Sequence, residues 1–291
     1  MKIEILKDCQ FEHKIGLKGL SSALTAHQVF DYLSWPTAKE ENYWTIAEWA
    51  SKYLMKDVKS VKQDGDSYVF FNNAKHVTIY PGQGKLDLFA DTRKEYAQPR
   101  GPRDPWIHLL LEQKVEMKDR VMLDTLDALY MELEFEITKS DKYMSDKEYD
   151  PNVHASQLSW YLTIENCKDT KLDFEGRPDY LWFGLPIYDN RFTKSNGVQI
   201  FLDYGTQKLI YGKDRNDYLP ESIEIGKTYR IYVDVLPEIK VAFAKAKEQG
   251  WLKGAELSDM AVGSTNIGWE IPGTFDVGFK IKKISMIGER K

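Results

Sequence analysis

From residue 67 to the end of the chain, apolar and polar positions alternate with period two in short segments, as in half-buried strands. Residues 67–71, 75–80 and 85–90 are predicted strands, separated by Asn72-Asn73 and by Pro81-Gly82-Gln83-Gly84. Segments 106–117, 128–137, 154–165, 179–188, 198–204, 208–211, 229–235, 261–265 and 275–287 continue the run, with a turn expected at 268–273. Residues 1–7 read as an edge strand and 20–33 as a short helix ahead of Trp35-Pro36. Two further helices are predicted. One covers 45–54, where Thr45 and Glu48 have capping-box spacing and Ile46, Trp49, Ala50 and Tyr53 share a side. The other covers 237–249, opened by Pro237 and closed by Gly250, with Ile239, Phe243 and Ala246 as a stripe. Many short strands with few helices give an all-β fold: an antiparallel β-sandwich, jelly roll in topology, with two short peripheral helices. No repeat, linker or composition shift divides residues 67–291, and 1–291 is read as a single domain, with residues 1–60 and their short helix packed on it.

The outward faces of these strands carry the candidate chemistry. In 128–137, Leu129, Met131, Leu133, Phe135 and Ile137 alternate with Tyr130, Glu132, Glu134 and Glu136. Three carboxylates on one face repel one another, so either water screens them or a cleft uses them. In 106–117, His108 and Glu112 share a face with Trp106 and Leu110, opposite Ile107, Leu109 and Leu111, as a central strand beside a polar cleft would. Gln157, Ser159, Tyr161 and Thr163 face away from Leu158, Trp160, Leu162 and Ile164, and Tyr180 and Trp182 face away from Leu181 and Phe183. Placed on one concave sheet, Tyr161, Trp182, Tyr180, Gln157, His108 and Tyr232 supply stacking surfaces and hydrogen-bonding groups that suit sugar.

Composition narrows the partners. Hydrophobic residues make up 42%, which excludes a disordered chain, and 8 Trp and 17 Tyr serve equally as sandwich core or as platforms for flat apolar ligand faces. A net charge of −5 without a basic run argues against nucleic acid and anionic membrane surfaces. No apolar run approaches a membrane span, and the charged start reads as cytoplasmic, or as secreted if a signal peptide has been removed. Cys9 and Cys167 suit neither a disulfide framework nor a zinc knuckle, and no metal or cofactor is expected. Asp203, Asp214 and Asp217 offer oxygens for a structural calcium without a recognisable loop pattern. No Gly-x-Ser-x-Gly elbow or phosphate-binding glycine loop is present.

The segment Glu132-Leu133-Glu134-Phe135-Glu136 resembles the catalytic strand of the laminarinase and lichenase group of glycoside hydrolases, which share the concanavalin A-like jelly roll. That pattern is Glu, an aliphatic residue, Asp, one or two residues, then Glu; here Glu134 stands where the family has Asp. The resemblance implies that Glu132 is the nucleophile, Glu134 its helper and Glu136 the general acid/base. With a rise of about 3.4 Å per residue, the outer two Cβ atoms lie about 13 Å apart, and leaning arms bring the carboxyls to roughly 6 Å, near the retaining and inverting ranges. Trp182, Tyr180 and Tyr161 would stack on sugar rings while His108, Gln157, Arg230 and Tyr232 complete the binding surface. The reading is a glycoside hydrolase acting on a neutral oligo- or polysaccharide. The alternatives are a non-catalytic, lectin-like carbohydrate binder and, third, a polysaccharide lyase using Arg230, Gln157, His154 and Tyr161, which the acidic face disfavours for a polyuronate substrate.

Overall fold

The computed structural model describes residues 1–19, 27–63, 65–173, 176–203 and 205–290. Within them lie strands β1 (Lys2–Glu4), β2 (Ile15–Lys18), β3 (Asp31–Leu33), β4 (Trp44–Ala47), β5 (Val61–Lys62), β6 (Tyr68–Phe71), β7 (Lys75–Tyr80), β8 (Lys85–Asp91) and β9 (Ile107–Lys114). There follow β10 (Leu126–Lys142), β11 (Gln157–Asn166), β12 (Tyr180–Asp189), β13 (Gln199–Asp203), β14 (Lys208–Gly212), β15 (Thr228–Asp234), helix α1 (Leu236–Glu248), β16 (Met260–Ile271) and β17 (Phe275–Arg290). An eight-stranded sheet runs β15-β10-β17-β8-β7-β6-β5, with β1 also paired to β17; a nine-stranded sheet runs β13-β14-β12-β11-β16-β9-β4-β2-β3. Pairing is antiparallel except for β2 with β4 and β12 with β14. The expected antiparallel sandwich is therefore the architecture observed. Among the described residues no helix is long and apolar enough to cross a membrane.

Period-two alternation builds the core. Leu129, Met131, Leu133, Phe135 and Ile137 of β10 are all sealed from solvent, as are Trp160, Leu162 and Ile164 of β11 and Ile267, Trp269 and Ile271 of β16. Phe135 packs between Tyr229 and Phe279, with ring centroids 5.9 and 6.1 Å away. Trp160 donates its indole N–H to Thr265 Oγ1 at 2.7 Å, so a large apolar ring is buried without an orphaned donor. Helix α1 carries Pro237 in its first turn, buries Ile239, Phe243 and Ala246, and touches β10 of one sheet and β12 of the other.

Two local expectations give way to tertiary pairing. Residues 45–47 of the predicted 45–54 helix belong to β4, held between β2 and β9, and the chain then turns with Ala50 at φ +63°. Glu48 does not cap Thr45; its carboxylate accepts the N–H of Met55 at 2.9 Å instead. Of the two helices predicted at 45–54 and 237–249, only the second is an α-helix among the described residues. The expected turn at 268–273 is also displaced, because β16 continues through Gly268 to Ile271 before Pro272. Of the predicted 20–33 helix, residues 20–26 lie outside the described residues and residues 31–33 form β3.

Removing the Phe135 ring should leave a cavity that the rigid strands on either side cannot close. Phe135→Ala is expected to destabilise the protein by about 3–5 kcal/mol. A denaturant titration would show this as a lowered midpoint at unchanged slope.

Candidate functional site

The outward face of the nine-stranded sheet lines a groove of about 1440 Å³. Strands β9, β16 and β11 are paired in register, so their outward residues fall into rows. Lys114, Ser264 and Thr163 form one row; Glu112, Asn266 and Tyr161 the next; then Leu110, Gly268 and Ser159; then His108, Glu270 and Gln157. Trp49 and Trp106 line the groove on the β4 side, and Trp182 and Phe201 on the β12 and β13 side. From β4 to β13 there are six strand spacings, about 29 Å at roughly 4.8 Å each, so the groove crosses the strands for the length of an oligomer.

Two glycines shape the floor. A Cβ on Gly184 would sit 2.2 Å from the Tyr161 ring, so only glycine lets that ring lie down on β12. Gly268 has φ +153°, and a Cβ there would meet the Leu109 carbonyl oxygen at 2.3 Å. The place a Gly268 side chain would take is filled by the backbone of Leu109 and Leu110, so β9 and β16 approach closely between Asn266 and Glu270.

Charges in the groove are met by charges of the protein itself. Glu112 pairs with Lys18. Asp189 binds Arg191 at 2.6 Å and accepts the Gln157 amide at 2.9 Å. Glu165 binds Arg120 at 2.5 Å and accepts the Thr163 hydroxyl at 2.8 Å. Glu270 is engaged more loosely, with Oε2 3.7 Å from Nε2 of His108. Burial, helped by the nearby Glu270 carboxylate, pushes the Tyr161 hydroxyl up, so it stays a proton donor at neutral pH.

The structure brings together part of the site expected from sequence. Trp182, Tyr161, Gln157 and His108 all line the groove. Tyr180 lies beneath it, fully buried, its ring edge-on to Trp182 with centroids 5.6 Å apart and covered by the Arg177 and Lys208 cations. Glu132, Glu134, Glu136, Arg230 and Tyr232 belong to β10 and β15, on the outer face of the other sheet. The expectation that acidic strand and aromatic surface share one sheet is therefore corrected: the core separates them. Nor do the lyase candidates converge, since Arg230 is on the far sheet and His154 is buried with Nε2 2.8 Å from the Arg100 carbonyl oxygen. Asp203, Asp214 and Asp217 do not meet either: Asp203 accepts the Gly205 N–H, Asp214 accepts the Asn216 N–H, and Asp217 binds Lys213. Among the described residues no three His, Cys, Asp or Glu side chains cluster as metal ligands would.

Two groove carboxylates, Glu112 and Glu270, were not candidates from sequence. Glu112 shares the outward face of β9 with His108, a visible signal. Glu270 falls inside the predicted turn, and only the continuation of Ser264, Asn266, Gly268 and Glu270 along one face of β16 reveals it.

On the outer face of the eight-stranded sheet, Glu132 is almost buried, with Oε1 2.7 Å from Arg230 and Oε2 2.8 Å from Lys283. Glu136 binds Lys282 at 2.7 Å. Burial alone would push the Glu132 carboxyl up, but hydrogen bonds from Lys283 and Arg230 outweigh it and hold the group below its ordinary value. A lowered folded pKa adds stability above the ordinary Glu pKa of about 4.3, and that stability is lost as pH falls through the folded value. Because both cations are half exposed, Glu132→Gln is expected to destabilise by only about 1–2 kcal/mol at neutral pH. Urea midpoints of the two proteins should converge as the pH drops into the acid range; a gap that stays constant would contradict the account.

No protein-family model matches the sequence, and no curated protein matches it. Solved structures with a similar fold include an endo-1,4-β-glucanase described as a cellulase, 10% identical, covering 80% of this chain and 96% of that one at a TM-score of 0.44. A family 12 xyloglucanase from Bacillus licheniformis is 9% identical over 79% of this chain and 97% of that one, TM-score 0.44. An endoglucanase from Rhodothermus marinus is 8% identical over 81% and 96%, TM-score 0.43.

Proposed function

We propose that this protein binds a neutral oligo- or polysaccharide across the groove of the nine-stranded sheet and hydrolyses it there. The observation that carries the reading is a strand-crossing groove with aromatic surfaces at both ends and hydrogen-bonding side chains between them. Trp182 and Phe201 at one end, and Trp49 and Trp106 at the other, offer faces to sugar rings, while Asn266, Gln157 and Tyr161 meet hydroxyls. The internal pairing of Lys18 with Glu112 and of Arg191 with Asp189 suits an uncharged ligand, since a uronate would have to displace a partner already in place.

For hydrolysis the groove offers Glu112 and Glu270. They stand on adjacent strands four residues out of step, so their Cβ atoms are about 14 Å apart, and arms leaning together bring the carboxyls to roughly 7–8 Å. That separation leaves room for a water and suits an inverting reaction: one carboxylic acid protonates the leaving oxygen while the other carboxylate activates water. A second reading, a lectin-like binder without catalysis, is favoured by the ion pair that engages Glu112 with Lys18.

A panel of neutral glucans, xylans and galactans, offered to the wild type, Glu112→Gln, Glu270→Gln and Glu132→Gln, decides between them. Loss of about 100-fold or more in hydrolysis with Glu112→Gln and Glu270→Gln, with binding kept and Glu132→Gln active, is the expected result. Binding without cleavage in all four proteins would establish the lectin-like reading, and activity lost only in Glu132→Gln would return the chemistry to β10. Separately, Gly184→Ala should lift the Tyr161 ring into the groove, so glycan affinity measured by tryptophan quenching is expected to fall about 10-fold, as loss of one good contact would give.

A further inference from the structure

Behind the groove wall, a cluster of ionisable side chains is sealed from solvent. Lys75 of β7 places Nζ 3.1 Å from Oε1 of Glu95 and 3.5 Å from Oε2 of Glu48, and hydrogen-bonds Ser51 Oγ. All three ionisable side chains are at most 1% exposed. Two carboxylates and one ammonium leave one negative charge in excess, and burial accordingly pushes Glu48 up to about 7, so it takes and gives a proton near neutrality. The Glu95 carboxyl is held by donors on both oxygens: Oε2 accepts the Lys52 N–H at 2.7 Å and Oε1 the Ser51 hydroxyl at 2.6 Å. A buried amine, a polarised carboxyl and a neighbouring proton carrier are the parts needed to make an amide.

We propose that Lys75 and Glu95 become joined by an isopeptide bond within the folded chain, with Glu48 ferrying the protons. Glu48 takes a proton from the Lys75 ammonium and passes it to Glu95, giving a neutral amine beside a neutral acid, the forms that a dry site favours. Nζ then attacks Cδ of Glu95, and the new C–N bond places charge on an oxygen that the Lys52 N–H stabilises. A second proton leaves nitrogen by way of Glu48 for the hydroxyl, the C–O bond breaks and water departs. The nitrogen keeps one hydrogen, nothing is oxidised or reduced, and no co-reactant is needed. Fixed positioning of this kind supplies effective molarities of about 10⁵–10⁸ M, which is why the pair would condense here and not in free solution. The link would close the loop between β7 and the segment after β8, beneath the wall that carries Trp49.

The test is the intact mass of the purified full-length chain under denaturing, reducing conditions, followed by peptide mapping. A mass below that of the sequence by one water, with a branched peptide joining Lys75 to Glu95, is the expected result. A wild type at the full sequence mass overturns the proposal, and so does a deficit that persists in Lys75→Met. Glu48→Gln keeps both reacting side chains and is expected to show the full mass; a complete link in that variant would overturn the role given to Glu48.

Discussion

The groove depends on the hydrogen-bonded register of β9, β16 and β11. Side chains on a strand alternate between faces, so slipping β16 by one residue would send Ile267, Trp269 and Ile271 outward and bring Asn266 and Glu270 into the core. The large buried rings of Trp160 and Trp269 forbid that slip, since neither has room elsewhere in a close-packed interior. Packing on the inner face therefore sets which polar groups meet on the outer one. The rows that hold Glu112, Asn266 and Tyr161, and His108, Glu270 and Gln157, are a product of the core as much as of their own chemistry.

The two outward faces of the sandwich carry similar residue types and differ in what surrounds them. On the eight-stranded sheet, Glu132 sits among Arg230 and Lys283 and Glu136 beside Lys282, a ladder of opposite charges on neighbouring strands. On the nine-stranded sheet the pairs Glu112 with Lys18 and Asp189 with Arg191 lie in the groove between the aromatic side chains. With their charges already matched inside the protein, a ligand that needs no charge partner disturbs them least. Glu112, paired with Lys18, differs from Glu270, whose Oε2 lies 3.7 Å from Nε2 of His108.

How much of this could be read from sequence follows from the range of each signal. Period two is local, so most strands, the stripe of α1 and the outward positions of Gln157, Tyr161, Trp182 and His108 were legible. Which sheet a strand joins is not local. The acidic run of β10 and the aromatic run of β11 and β12 look like parts of one surface until the sheet order places them on opposite sides of the core. The helix expected at 45–54 failed because Trp44–Ala47 gains two strand partners, which outweigh a capping-box pattern worth about 1 kcal/mol. Glu270 was hidden by Gly268, read as a turn residue although it lies inside a strand where a neighbouring backbone comes close.

The segment that follows β4 shows how the two sheets are coupled. Residues 48–55 have no ladder of their own, yet they carry Trp49 into the groove. Backbone bonds hold their start, the Glu48 N–H donating to the Lys18 carbonyl at 2.9 Å and the His108 N–H to the Trp49 carbonyl at 3.1 Å. Side-chain bonds hold the rest, the Glu48 carboxylate accepting the Met55 N–H and Glu95 accepting the Ser51 hydroxyl and the Lys52 N–H beside Lys75 of the eight-stranded sheet. These groups are buried, so leaving any one of them without its partner is costly, and the segment has little freedom to shift while the cluster is intact. The wall of the groove is thus anchored through the core to the opposite sheet. Its position rests both on the neighbouring β2 and β9, which bond the backbone of Glu48 and Trp49, and on the buried cluster of Lys75 with its two carboxyl neighbours.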